Sequence, residues 1–160
     1  MTNLSQKSEL DSYAEWINQI DWSFFCTFTT HYELSLPSAR RLMERTHQKY
    51  LNYFGECELF WVAEPFECKE GFHTHGLLKV PETALNKSKV LPKYHFQNVV
   101  DMYQSMVGGK VLKNDKGKLT FDKWNRIELK KFDQRKNAGR YACKYIKKSQ
   151  YGKGDYDILI

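Results

Sequence analysis

Apolar and polar positions along the chain fall into short blocks with two different periods. Residues 23–30 (Ser-Phe-Phe-Cys-Thr-Phe-Thr-Thr) are rich in aromatic and β-branched side chains and predict a strand. Ser12 to Ile20 predicts a short helix before it. From about Ser38 to Phe54 the apolar positions recur with helical spacing, after Leu36-Pro37 and before a stop at Gly55. Leu59 to Glu64 predicts a second strand, ended by Pro65, and Gly71 to Val80 a third. The short connection between them predicts a hairpin.

A further helix is expected near Phe96 to Met106, broken by Gly108-Gly109. Lys110 to Thr120 predicts a small hairpin around Asn114-Asp115-Lys116-Gly117, and Trp124 to Phe132 predicts a strand. A last helix is expected from Asp133 or Gln134 to about Lys148, with no element assigned after Gly152. The order β-α-β-β-α-β-α predicts an α+β fold: an antiparallel, ferredoxin/RRM-like sheet of about five strands with helices on one face.

The chain has 160 residues, 41% hydrophobic and 15% aromatic, which fits one globular domain with a real core. No run of 18 apolar residues occurs, so no membrane partner is expected. Met1 to Ser12 is polar and carries no apolar signal core, so a cytoplasmic location is expected. The four cysteines, Cys26, Cys57, Cys68 and Cys143, show no zinc spacing and fit reduced thiols. The net charge of +6 is concentrated: Lys130 to Lys148 holds eight basic residues against Asp133 alone. A localised basic stretch points to a polyanion, nucleic acid first, although a solvated helix face would carry the same charges.

His73 and His75 are two apart on a predicted strand, so both imidazoles share one face and can converge on one ion. Alone, such a pair also describes two ordinary strand histidines. Glu64 ends the preceding strand, nine positions before His73. In a hairpin it can sit beside His73 on the same face; a salt bridge to Lys69 or Lys79 is the alternative. Two imidazoles and a carboxylate would leave positions open for a phosphate oxygen and water. The mixed N/O set suits Mn²⁺ or Mg²⁺ in use, while affinity alone favours later transition metals.

Tyr141, Lys144, Tyr145 and Lys148 lie at i, i+3, i+4 and i+7, on one face of the last helix. Two phenols and two ammonium groups are costly to bury as a set. A tyrosine has a pKa near about 10; neighbouring cations favour its phenolate, the form that attacks phosphorus. Gly139, just ahead, either lets a phosphate backbone approach or only weakens the helix. Lys130, Lys131, Arg135, Lys136 and Arg140 are expected to contact DNA phosphates.

With these residues the chain resembles the HUH endonucleases, and among them the rolling-circle replication initiators (Rep). His73-Thr74-His75 matches the histidine motif, with Thr74 where the family has a hydrophobic residue. Tyr141 to Lys144 matches Tyr-x-x-Lys, and the longer Tyr-x-x-Lys-Tyr-x-x-Lys form runs to Lys148. Residues 25–30 resemble the family's first motif, and the acidic third ligand on the strand before the histidines corresponds to Glu64. The resemblance covers residues 22–148 within a single domain of 1–160. Conjugative relaxases place the tyrosine before the histidines, and single-tyrosine transposases lack the lysine pair.

The resemblance implies a site-specific single-stranded DNA nickase and strand transferase. Its substrate would be a replication origin, extruded as a hairpin. Tyr141, ranked first, or Tyr145 would attack the phosphate and keep the 5′ end, and a later 3′-hydroxyl would reverse the step. Two active tyrosines would alternate; one would suit a homodimer. No Gly-x-x-x-x-Gly-Lys-Ser/Thr loop is present, so unwinding and synthesis would come from a host helicase and polymerase, in a bacterial cell hosting a plasmid or phage. Two rivals remain: a small-element transposase with the same chemistry, and a non-catalytic RRM-like module binding single strands through Phe24, Phe28, Trp61 and Phe72.

Overall fold

The central sheet is antiparallel throughout, with spatial order β6-β1-β3-β2-β7. Its strands are β1 (Phe24–Phe28), β2 (Glu58–Pro65), β3 (Phe72–Lys79), β6 (Ile127–Lys131) and β7 (Tyr156–Leu159). A separate hairpin joins β4 (Val111–Lys113) to β5 (Leu119–Phe121). The helices are α1 (residues 11–18), α2 (Leu36–Phe54), α3 (Lys93–Val107) and α4 (Ala138–Tyr151). These elements come from a computed structural model that describes residues 11–30, 32–81, 93–107, 111–113, 115–117, 119–121, 127–133, 135–151 and 155–160. The expectations placed on Gly108-Gly109, Asn114, Trp124 and Gly152 lie outside the described residues. Among those described, no helix is long and apolar enough to cross a membrane.

The α+β architecture expected from the sequence is present. Setting β7 aside, the strand order is that of a ferredoxin-like sheet, with the fourth core strand beside the first and the third beside the second. Local signals define α2 sharply. The Ser35 hydroxyl accepts from the Ser38 N–H, and the Ser35 N–H donates to the Ser38 hydroxyl, a reciprocal cap. Gly55 closes the helix at φ 82°, where a side chain would be strained.

The helices do not all lie on one face, which corrects the expectation. Phe24, Cys26, Phe28, Leu59, Trp61, Ala63 and Leu78 pack under α2 and α3. Phe60, Val62 and Leu77 point the other way and pack with Ile17, Trp22, Ala138, Ala142 and Ile146 from the α1 and α4 side. The reason is visible in β2: Leu59 to Ala63 is an unbroken apolar run, buried throughout, and such a strand needs cover on both sides.

The same packing removes the aromatic platform on which one rival reading rested. Phe24, Phe28 and Trp61 are core residues under α2, and Phe72 is partly buried against them. They form no open stacking platform for single strands.

Two further boundaries differ from expectation. The last helix starts at Ala138, because Asp133 accepts from the backbone N–H and the guanidinium of Arg135 and holds a turn there. Asn137 is the cap: its side chain accepts from the Arg140 N–H at 2.9 Å. The tail adds β7 beside β2. Arg40 of α2 secures it, binding Asp155 through Nε and Nη2 at 2.8 and 2.9 Å and Asp157 at 2.9 Å. The Arg40 guanidinium also lies over the Trp61 ring, 5.2 Å from its centroid.

Candidate functional site

The β2–β3 hairpin sets one half of the site. Glu64 is the direct cross-strand partner of His73, and Thr27 of β1 is the direct partner of His75. Glu64, His73 and His75 all project from the face covered by α4, because alternate strand residues share a face. Thr74, between the histidines, points to the other face and donates to the Met43 sulfur at 3.4 Å.

The three donor groups converge. One atom from each lies within 4.8 Å of the others. The Nε2 atoms of His73 and His75 are 2.8 Å apart, and Glu64 Oε2 lies 3.0 Å from His75 Nε2 and 3.8 Å from His73 Nε2. Burial, partly countered by Glu64, holds His73 below the usual histidine range, so its ring is neutral at pH 7 and available as a ligand. Among the described residues, the buried Nδ1 of His73 has no hydrogen-bond partner. Its ring packs against Phe66, with centroids 4.5 Å apart, and the Lys69 ammonium also lies over the Phe66 ring. Two imidazole nitrogens and one carboxylate aimed at one point fit a divalent cation.

Helix α4 supplies the other half. Tyr145 lies against His75, with ring centroids 5.1 Å apart. Tyr141 sits one turn earlier, between Tyr145 at 4.7 Å and Phe25 at 4.9 Å. Burial is the main reason the Tyr141 phenol is pushed well above the usual tyrosine range, with Tyr145, Cys26 and Glu64 adding to it. The expected lowering by neighbouring lysines is therefore not what this pocket does to Tyr141; desolvation outweighs it.

A cleft of about 710 Å³ joins these parts. His75, Tyr141 and Tyr145 line it together with the cations Lys130, Arg135, Lys136, Arg140 and Lys144. Arg135 is largely solvated and pairs with Asp133 at 3.1 Å. Lys131 does not belong to this set. Lys130 is opposite Phe25 and faces the cleft, whereas Lys131 is opposite Phe24 and projects from the reverse face. Lys148 continues α4, and its side chain lies outside those described.

Gly139 has a role that differs from both expectations. It is buried against α1, where an added Cβ would meet the Ala14 carbonyl oxygen at 2.4 Å. Its N–H donates to Asn18 Oδ1 at 2.8 Å, so α1 packs on and caps α4 at this point. Sequence reasoning named Thr27 and Phe25 only as part of the first-motif strand and passed over Glu128 and Asn137, and all four line the cleft. Asn137 was recognisable as a cap residue ahead of a helix. The others carry no local signal, because only the strand pairing brings them to the site.

A family model described as Replication-associated protein ORF2 matches residues 23–150. No curated protein and no solved structure matches the chain.

Proposed function

The chain belongs to the Replication-associated protein ORF2 family, and from that premise we propose that it nicks and rejoins single-stranded DNA to start rolling-circle replication. The observation that carries this reading is the contact of the Tyr145 ring with His75: a phenol-bearing helix meets the metal-type triad at His75, and both residues line one cationic cleft. The family match also favours a replication initiator over a transposase.

Glu64, His73 and His75 would hold the metal. A divalent ion there, Mn²⁺ or Mg²⁺, would supply Lewis-acid polarisation of the scissile phosphate. Lys130, Lys136, Arg140 and Lys144 bind the phosphates of the strand along the cleft, and Arg135 extends the same rim. A tyrosine oxygen forms a bond to phosphorus while the bond to the 3′-oxygen breaks. The phenol loses one proton and the departing 3′-hydroxyl gains one, so the step balances. The phosphodiester energy is kept in the 5′-phosphotyrosine, and attack by a later 3′-hydroxyl restores a DNA strand.

The sequence ranks Tyr141 first. The geometry favours Tyr145 for the first attack, because its ring touches the ligand His75 while Tyr141 packs between Phe25 and Tyr145. The neighbouring tyrosine then serves the second transfer. The substrate is an origin hairpin, and strand opening and synthesis fall to the host's helicase and polymerase.

The test incubates the protein with Mn²⁺ and labelled single-stranded origin DNA and looks for a denaturant-resistant adduct. Wild type is expected to form it, and Tyr145→Phe to lose the first transfer by on the order of 1000-fold. The Tyr141→Phe variant is expected to nick but fail to complete circle closure. Undiminished adduct in the double variant overturns the tyrosine assignment.

A further inference from the structure

We infer that Thr27 is a positioning residue that sets the tautomer and aim of His75, an inference that rests on reading Glu64, His73 and His75 as a metal centre. Thr27 lies directly across from His75 in the β1–β3 pairing. Its Oγ1 is 3.2 Å from His75 Nδ1, the ring nitrogen that points away from the convergence of donors.

The chemistry of imidazole makes this contact decisive. To offer an Nε2 lone pair to a cation, the neutral ring must carry its proton on Nδ1, and that N–H needs an acceptor. The Thr27 hydroxyl is that acceptor. When Nε2 instead holds the proton and donates to Glu64 Oε2, 3.0 Å away, the same hydroxyl rotates and donates to Nδ1. One hydroxyl therefore satisfies the ring in both states, which a carbonyl or an ammonium group cannot do.

His73 has no such partner among the described residues; its Nδ1 is unpaired and its ring packs against Phe66. Valine in place of Thr27 would keep the shape and the strand preference but remove the hydroxyl that His75 Nδ1 faces. Serine would keep the hydroxyl.

The experiment is calorimetric titration of the full chain with Mn²⁺, repeated with Zn²⁺ while the His75 ring nitrogens are followed by ¹⁵N NMR. Thr27→Val is expected to remain folded and to bind Mn²⁺ roughly 10–100-fold more weakly, with Thr27→Ser restoring affinity. In Zn²⁺-loaded wild type, His75 Nδ1 is expected to carry the proton. Equal affinity in Thr27→Val, loss of affinity in Thr27→Ser, or an unprotonated Nδ1 in the loaded protein would each overturn the role of Thr27 alone. Wild type that binds neither ion would overturn the metal centre itself.

Discussion

Glu64 and His73 face each other directly across the β2–β3 hairpin, so the carboxylate reaches the imidazoles by strand register and not by a mobile loop. Glu64 Oε2 bridges toward both imidazoles. A change that keeps its size but removes its charge should therefore act on the metal and leave the hairpin intact.

Glu64→Gln is expected to lower Mn²⁺-dependent cleavage by roughly 100-fold or more, with single-strand binding largely retained. His73→Ala should behave alike. Parallel cleavage assays and binding isotherms decide this: loss of binding together with the folded state would make the three residues structural.

The cleft cations predict a graded salt response. Arg140→Ala or Lys136→Ala should each reduce the slope of log binding constant against log salt by about 0.7, with little dependence on base sequence. Lys131→Ala, on the reverse face, should leave the slope unchanged. Fluorescence anisotropy across a salt series reads both. An equal effect from Lys131 would mean that the strand does not follow the α4 cleft.

Gly139→Ala is expected to destabilise the fold by about 1–3 kcal/mol, since the new methyl group must displace the α1 backbone at Ala14. Denaturant melts measure this. A variant as stable as wild type would show that α1 can slide without cost, and that the close approach does not fix α4.

Acid should loosen the C-terminal strand. The Arg40 guanidinium is the main reason the Asp155 carboxyl titrates below its usual range. A carboxylate with a depressed folded pKa contributes stability that is present above its unfolded pKa near about 3.9, and that is lost as pH falls through the folded value. Arg40→Ala is therefore expected to cost on the order of 1 kcal/mol at neutral pH, because both partners are about one-third exposed and screened by solvent. The gap from wild type should close as pH falls through the folded value. Urea melts at several pH values test this, and a gap that persists in acid would assign the effect to Trp61 packing instead.

The site divides between what local order encodes and what it leaves open. Two-residue alternation already puts His73 and His75 on one face, and the short hairpin brings Glu64 beside them. Helical spacing puts Tyr141, Lys144 and Tyr145 on one side of α4. The unbroken run Leu59 to Ala63 also carried a signal for two covered faces, although the element order alone pointed to one.

By itself, then, the sequence determined the elements as far as α4, the faces on which their reactive groups stand and the antiparallel α+β plan. These follow from fixed backbone periods of two and 3.6 residues, which need no knowledge of distant partners. Only the tertiary structure decided which side of the sheet α4 covers, and that Tyr145 meets His75. It alone placed Lys131 outside the cleft, Gly139 against α1 and β7 under Arg40. Each of those outcomes depends on contacts between segments far apart in the chain, where packing volume and hydrogen-bond pairing choose among arrangements that the local pattern leaves equal.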